Sequence, residues 1–184
     1  MPVRTEGLLR LFVPVVVVVI CDLLTKQLAL SFLFVPPRSI EVLPFLNLVP
    51  VWNTGISFGM LSNMGEYMPF LLGGFAFAVG VGLPLYARHW ERFARLGAQI
   101  MAGGAFGNAL DRVFYGKVVD FIDIYAGQWH WPAFNVADMA ITCGAGLIVL
   151  ASIKESRQQR SGDKTGDETG DKTGDKTGEG DGKG

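Results

Sequence analysis

The chain has 184 residues, of which 49% are hydrophobic and 18% are charged, and its formal net charge is −1. A large share of the charged residues lies between Ser161 and Gly184, so the rest of the chain is more apolar than these averages indicate. A soluble domain of this length could bury one or two strongly apolar helices, but not four. Composition therefore excludes an ordinary soluble domain and indicates a polytopic membrane protein.

Four segments approach the roughly 20 residues that span a bilayer, and none shows the alternation of a half-buried strand. These segments are residues 8–24, 68–86, 93–115 and 134–153. We predict an all-α polytopic membrane protein with four transmembrane helices, formed by a membrane domain of residues 1–160. Residues 161–184 repeat Gly, Asp, Lys and Thr without a large apolar side chain, which predicts a disordered, low-complexity tail.

Lysine and arginine are distributed asymmetrically along the chain, and such residues favour the cytoplasmic side of a membrane. They cluster before the first predicted helix, between the second and third, and after the fourth. This asymmetry predicts that both termini are cytoplasmic. The connections formed by residues 31–67 and 116–133 would then face outward.

The first outward connection contains two short β-favouring runs, residues 40–43 and 46–52, in a stretch with prolines at positions 36, 37, 44 and 50. We predict that they form a small sheet at the membrane surface, followed by a short amphipathic element at residues 56–61. Four aromatic residues are expected at headgroup level. They could anchor the protein or grip an amphiphilic substrate, and the sequence favours neither role. These aromatics are Trp52, Tyr67, Trp129 and Trp131.

Polar residues gather at the outward ends of the predicted helices. Asp22 and Lys26 are four residues apart and share a helix face, so they can pair. Side chains scattered only for packing would fall at all depths and on both sides, so this gathering indicates a site. Its members are Asp22, Lys26, Asn108, Asp111, Arg112, Asp120, Asp123, Asn135 and Asp138.

Each of these residues also has a purely structural interpretation. Asn135 and Asp138 have the spacing of a helix cap, and the pairs Asp22–Lys26 and Asp111–Arg112 would suit structural ion pairs. Asp123 would suit a solvated loop carboxylate, and Gly103-x-x-x-Gly107 close helix packing. The sequence shows no Cys/His cluster and no Ser–His–Asp arrangement, so no metal or cofactor is predicted. A carboxylate pair, Asp120 and Asp138, is the remaining catalytic candidate.

Five sequence blocks carry a family resemblance, and they follow one another at the outward ends of the four predicted helices. The blocks are DLLTK (22–26), NTGISFG (53–59), GGAFGNALDR (103–112), VVDFID (118–123) and FNVAD (134–138). In this order and spacing they resemble bacterial lipoprotein signal peptidase, the type II signal peptidase. The resemblance covers about residues 8–155 and leaves out the repeat tail.

The resemblance implies an aspartyl endopeptidase of the bacterial inner membrane with four helices and a small extracytoplasmic β-cradle. Such enzymes remove the signal peptide of prolipoproteins and cut before a cysteine that carries a diacylglyceryl group. The implied partners are these substrates and membrane lipid, without nucleic acid, and the implied state is a monomer. The implied site consists of catalytic Asp120 and Asp138, substrate-binding Asn53, Asn108, Arg112 and Asn135, and supporting Asp22, Lys26 and Ala137.

The chemistry of two adjacent carboxylates agrees with this implication. Because both cannot ionise easily, they share one proton over a wide pH range. The ionised group can activate water while the protonated group polarises a peptide carbonyl. Asp138 is the expected base because the N-terminus of the fourth helix favours its anion.

Two other classes of membrane protein, a transporter and a non-enzymatic scaffold, are alternatives to a peptidase. A transporter would place carboxylates near the bilayer midplane, with broken helices or an inverted repeat, and the sequence shows neither feature. A non-enzymatic scaffold would explain the glycines and interfacial aromatics, but it would not explain the polar cluster.

Overall fold

The computed structural model describes residues 5–55 and 67–170, with the backbone alone for residues 5, 6, 8 and 158–170. Its four long helices match the four predicted segments and extend two of them considerably. They are α1 (Thr5–Leu33), α2 (Met68–Tyr86), α3 (Arg92–Tyr115) and α4 (Val136–Gly170), with a short 3-10 helix, Ala87–His89, between α2 and α3.

Three helices in the described part of the chain are long and apolar enough to cross a membrane. Their candidate spans are Leu9–Leu33, Met68–His89 and Val136–Arg157. Helix α3 falls short of this criterion because polar residues interrupt it from Arg92 to Arg112. The exposed faces of the other helices carry large apolar side chains, including Val16 and Leu24 on α1 and Phe75 on α2, as expected of surfaces that meet lipid.

Helix α3 packs against each of the other three helices, and most of its buried residues are glycine or alanine. A methyl group added at Gly103 would lie 2.7 Å from Cβ of Val18, and one at Gly107 would lie 2.5 Å from Oδ2 of Asp22. Small residues at these positions therefore allow α1 and α3 to approach closely. The predicted packing role of Gly103 and Gly107 is confirmed.

An antiparallel four-stranded sheet lies beside the helix ends. Its strands, in their order across the sheet, are β1 (Ile40–Leu43), β2 (Leu46–Asn53), β3 (Val118–Ala126) and β4 (Trp129–His130). The two strands predicted from sequence are confirmed. The residues after α3, by contrast, were interpreted as part of a connection, yet Val118–Ala126 forms a strand that pairs with β2.

The sheet packs against the C-terminal part of α1, which extends beyond the predicted segment of residues 8–24. Ala29 and Leu33 form a buried apolar cluster with Val119 and Phe121 of β3. Burial of this apolar surface stabilises the helix well past residue 24. The same contact fixes β3 against the helices.

Helix α4 continues to Gly170, which is ten residues into the segment predicted to be disordered from residue 161. The helix can extend there because adding a residue to an existing helix needs no new nucleus and adds one hydrogen bond. The rest of the repeat, residues 171–184, and the predicted amphipathic element at 56–61 lie outside the described residues.

Candidate active site

Asp120 lies in β3 with only 1% of its surface exposed. Its Oδ2 accepts a hydrogen bond from Nδ2 of Asn53 (2.9 Å), and its Oδ1 accepts one from Nδ2 of Asn135 (2.7 Å). Asn53 reaches it diagonally across the β2–β3 pair, in which Val51 is opposite Asp120. Burial raises the pKa of Asp120 to about 6, against the opposing effect of the two amide hydrogen bonds.

The start of α4 is held against β3 by main-chain hydrogen bonds. The amide nitrogens of Phe121 and Ile122 donate to the carbonyl oxygen of Phe134, and Phe134 N donates to Ile122 O. These bonds place the next residue, Asn135, beside Asp120. The position of the fourth helix relative to the sheet is therefore set at the candidate site itself.

Asp138 stands in the first turn of α4 and takes part in a reciprocal cap. Its Oδ2 accepts from the main-chain nitrogen of Asn135 (3.1 Å), while Oδ1 of Asn135 accepts from the nitrogen of Asp138 (3.0 Å). This is the geometry of a capping box, so the helix-cap interpretation is confirmed. The cap occupies one oxygen, and Oδ1 of Asp138 accepts from Nδ2 of Asn108 (2.8 Å).

Two buried amides connect the carboxylates of Asp120 and Asp138. Nδ2 of Asn135 donates to Asp120 and lies 3.3 Å from Oδ1 of Asn108. Nδ2 of Asn108 donates to Asp138. The structure therefore brings Asp120 and Asp138 to one network, in which each carboxylate is oriented by a different pair of donors.

Lys26 is buried behind this network, with 1% of its surface exposed. Its Nζ lies 2.7 Å from Oδ2 of Asp22 and 2.9 Å from Oδ2 of Asp111. It also donates to Oδ1 of Asn108 (3.0 Å). Since Asn108 orients Asp138, the Lys26 ammonium is coupled to the candidate site through a single amide side chain.

The two carboxylates that pair with Lys26 also hold the backbone of the site. Asp22 Oδ1 accepts from the nitrogen of Ala137 (2.9 Å), and Asp111 Oδ2 accepts from the nitrogen of Val119 (3.0 Å). Val119 immediately precedes Asp120, and Ala137 immediately precedes Asp138. We call Asp22, Lys26 and Asp111 the buried ion cluster, and it fixes the main chain next to both candidate catalytic residues.

The proposed pairing of Asp111 with Arg112 was wrong. Consecutive residues of a helix point about 100° apart, and Asp111 faces Lys26 and β3. Arg112 instead donates from its guanidinium to the carbonyl oxygen of Asn108 (3.1 Å). The sequence indicated no role for Asp111 beyond an ion pair with Arg112. Asp111 nevertheless lies three residues after Asn108, so the two side chains share a helix face.

Asp123 was interpreted as a solvated loop carboxylate, and this too was wrong. It lies in β3 with 7% exposure, Nδ1 of His130 is 2.9 Å from its Oδ1, and Nδ2 of Asn47 donates to its Oδ2 (3.1 Å). Partial burial raises its pKa, but the hydrogen bonds from His130 and Asn47 outweigh this and lower it. Asp120 and Asp123 are three residues apart on a strand and point to opposite faces, so Asp123 is separate from the network.

The described ranges, 5–55 and 67–170, contain no candidate metal site. Within them, no cluster of three or more His, Cys, Asp or Glu side chains has a geometry that could hold a metal ion. The two cysteines, Cys21 and Cys143, are exposed on the helices and are not bonded to each other.

Comparison with known proteins gives a consistent result. The family model described as signal peptidase (SPase) II matches residues 14–154. The lipoprotein signal peptidase of Paraburkholderia phymatum is 40% identical over 147 residues, which cover 79% of this chain and 88% of that protein. That of Polynucleobacter necessarius is 37% identical, over 83% of this chain and 94% of that protein.

Two solved structures of bacterial membrane enzymes share the fold. One is 29% identical with a TM-score of 0.64 and covers 83% of this chain and 90% of its own. The other is 31% identical with the same TM-score and covers 82% of this chain and 94% of its own. Because the family model matches residues 14–154 and two relatives are 40% and 37% identical over 79% and 83% of this chain, the chain belongs to the signal peptidase II family, a family of membrane proteases that process lipoproteins.

Proposed function

We propose that this chain cleaves diacylglyceryl-modified prolipoproteins before the lipidated cysteine, with Asp120 and Asp138 as its catalytic pair. The observation that carries the assignment is the amide network in which Asn135 and Asn108 connect these two carboxylates. Family membership supplies the reaction class, and the network supports the choice of these two side chains.

The two carboxylates differ in their surroundings, and this difference suggests their roles. Asp120, whose pKa is raised to about 6, keeps its proton at a higher pH than an ordinary carboxyl group does. Asp138 lies in the first turn of α4, and both of its oxygens are held by donors, the main-chain nitrogen of Asn135 and Nδ2 of Asn108, which suits a group that receives a proton from water. We therefore assign Asp138 as the base that activates water and Asp120 as the acid that polarises the carbonyl.

In the proposed reaction, Asp138 takes a proton from a water molecule as the water oxygen attacks the scissile carbonyl carbon. The proton of Asp120 hydrogen-bonds to the carbonyl oxygen and stabilises its developing negative charge. When the tetrahedral intermediate collapses, the C–N bond breaks and the amine of the cysteine takes up the proton held by Asp138. The step forms no covalent bond between enzyme and substrate.

The structure suggests two different roles for the four residues predicted to bind substrate. Asn108 and Asn135 are buried, and their amide hydrogens are directed at the two carboxylates, which suits orienting roles. Asn53 is exposed at the end of β2, and Arg112 is half-buried at the edge of the network, which suits contact with the substrate. Ala137 supports the site through its main-chain nitrogen.

We further propose that all four helices cross the bacterial inner membrane, with both termini in the cytoplasm and the chain acting as a monomer without a nucleic-acid partner. Helix α3 can be the fourth span although it is more polar, since the other three helices pack around it and its polar side chains near the site are hydrogen-bonded. The sheet and the network would then lie at the outward surface, where water and lipid-anchored substrate meet.

Cysteine accessibility tests this orientation. In a chain with Cys21 and Cys143 replaced by serine, single cysteines at Ser39 and Ser161 should react with a membrane-impermeant reagent from opposite sides. In intact cells stripped of any outer membrane, Ser39→Cys should be labelled and Ser161→Cys should not, because the lysine and arginine asymmetry places Ser161 inside. Equal labelling at both positions would contradict the outward placement of the site.

Substrate lipidation tests the proposed function. Purified enzyme should cleave a diacylglyceryl prolipoprotein at least roughly tenfold faster than the same prolipoprotein without the lipid. Acyl chains held in the bilayer would position the scissile bond at the interface and so reduce the entropy cost of reaching the site. The measurement is the initial rate for both substrates in the same lipid vesicles, with the Asp120→Asn enzyme as the blank. Equal rates would contradict lipid-based recognition.

The repeat tail should be dispensable for catalysis. The family match ends at residue 154, and the tail lacks side chains that could pack against the helices. Deleting residues 161–184 should leave the cleavage rate of purified enzyme within about twofold, or ~0.4 kcal/mol in activation free energy. A tenfold loss would show that the tail belongs to the peptidase domain.

A further inference from the structure

A cavity lies at the other end of the helices from the candidate active site. Its volume is about 480 Å³, and it lies among the N-terminal ends of α1 and α3 and the short helix between α2 and α3. Arg95, which lines it, and Asn108 of the active site are 13 positions apart on α3, which corresponds to about 20 Å along the helix. Its principal lining residues are Arg10, Leu11, Arg88, Arg92, Arg95 and Leu96, and we call it the arginine cleft.

Four guanidinium groups line this one cleft, and the lining residues that the structure describes include no aspartate or glutamate. Among the side chains that the structure describes, the salt bridges involve Lys26 and His130 and none of the four arginines. The nearby Glu91 directs Oε2 to the main-chain nitrogens of Phe93 (2.8 Å) and Ala94 (3.4 Å) and so caps α3. Four like charges around one cavity repel each other, so an anion bound there would be strongly stabilised.

The cleft also has an apolar wall. Leu11 and Leu96 line it, and Phe93, three residues before Leu96 on α3, is exposed. Gln99, which is buried, donates to the carbonyl oxygen of Leu11 (2.8 Å) and holds the two helices together beside the cavity. A free anion would gain nothing from such apolar surroundings, whereas a phospholipid offers a phosphate and acyl chains together.

We propose that the arginine cleft binds the phosphate of an anionic phospholipid. Arginine suits this role because its planar guanidinium can donate two parallel hydrogen bonds to phosphate. Basic pockets between membrane helices bind anionic headgroups in this way, and the volume lies within the range of small-ligand pockets. The proposal rests on the membrane placement proposed above, but it is independent of the assignment of Asp120 and Asp138.

Lipid-dependent thermal stability tests the proposal on the full-length enzyme in a neutral detergent. Dioleoylphosphatidylglycerol should raise the melting temperature in a saturable way, and dioleoylphosphatidylcholine should bind at least roughly tenfold more weakly. Arg10→Gln/Arg92→Gln should weaken the binding of phosphatidylglycerol roughly 30-fold, about fivefold for each arginine. Arg157→Gln, which removes an exposed arginine of α4 outside the cleft, should change it less than twofold.

A lysine variant separates lipid binding from membrane orientation. Arg10→Lys/Arg92→Lys keeps the positive charges that orient the helices, and its melting temperature without lipid shows that it folds. It should still lose several-fold in affinity for phosphatidylglycerol, because an ammonium group cannot make the two-point contact. Unchanged affinity in both double variants, or equal affinity for the two lipids, would overturn the proposal.

A soluble headgroup identifies the source of the phosphate. sn-Glycerol 1-phosphate should raise the melting temperature only at concentrations far above those of the lipid, because it lacks the acyl chains. If it were as effective as phosphatidylglycerol, the cleft would be a site for a free phosphate compound, and the lipid proposal would be wrong. Cleavage assays on the same variants would report separately on the peptidase function.

Discussion

Replacing Asp120 or Asp138 by asparagine is expected to lower the rate of prolipoprotein cleavage by roughly 10²–10⁴-fold. Asparagine keeps the size of the side chain and much of its hydrogen bonding, but it can neither accept the proton of a water molecule nor hold the shared proton. If the two carboxylates act as one unit, the double variant should be little slower than either single variant. The measurement is the single-turnover rate of each purified variant.

Asp123→Asn is the matched control for this prediction. It alters a carboxylate on the same strand as Asp120, but on the opposite face of the sheet, where its partners are His130 and Asn47. Its rate should therefore stay close to that of the unmodified enzyme. Loss of activity equal to that of Asp120→Asn would mean that the strand, and not the carboxylate pair, is what the substitutions disturb.

The melting temperature of Asp138→Asn separates catalysis from capping. Asp138 accepts a hydrogen bond from the nitrogen of Asn135, and the oxygen of an asparagine can still accept it. The loss of stability should thus be no more than the ~1 kcal/mol typical of a weakened cap, while the rate falls steeply. A stable variant with normal activity would leave Asp138 as a helix cap alone.

Hydropathy predicted the four helices because each contains a long run of apolar residues. Such a run can be recognised from the segment itself, without knowing what it contacts. Strand β3 was missed for the opposite reason. Its partner β2 lies about 70 residues earlier in the chain, so nothing in its own residues shows that its hydrogen bonds will be satisfied there. The extension of α1 to Leu33 likewise depends on contact with Val119 and Phe121 of that strand.

The sequence predicted which residues belong to the candidate site better than it predicted the contacts between them. Spacing along a helix shows which side chains share a face, and this correctly grouped Asp22 with Lys26. It does not show which faces meet, and for this reason Asp111 was assigned to its neighbour Arg112 although it pairs with Lys26 from another helix. The link between Asp120 and Asp138 through Asn135 required the full arrangement of α3, β3 and α4.

Replacing Lys26 by methionine is expected to destabilise the protein by about 3–5 kcal/mol. The substitution keeps a long side chain but removes the ammonium group that lies 2.7 Å from Asp22 and 2.9 Å from Asp111. Two buried carboxylates would then face each other without a cation, and Asn108 would lose a donor to its Oδ1. The free energy of unfolding in detergent, measured with a denaturant, checks the size of the loss.

Two further variants show whether this loss comes from the buried ion cluster. Lys154→Met removes an exposed lysine of α4 and should change stability by less than about 0.5 kcal/mol. Lys26→Met/Asp111→Asn also removes the charge of one of the two carboxylates that Lys26→Met leaves without a cation. Because the two positions are coupled, the double variant should be more stable than Lys26→Met alone. It should nevertheless cleave slowly, because the bonds that hold Val119 and Asn108 beside the two catalytic carboxylates would be weakened. If Lys26→Met/Asp111→Asn lost the sum of the losses measured for Lys26→Met and for Asp111→Asn alone, the two positions would be independent, which would contradict their coupling in the buried ion cluster.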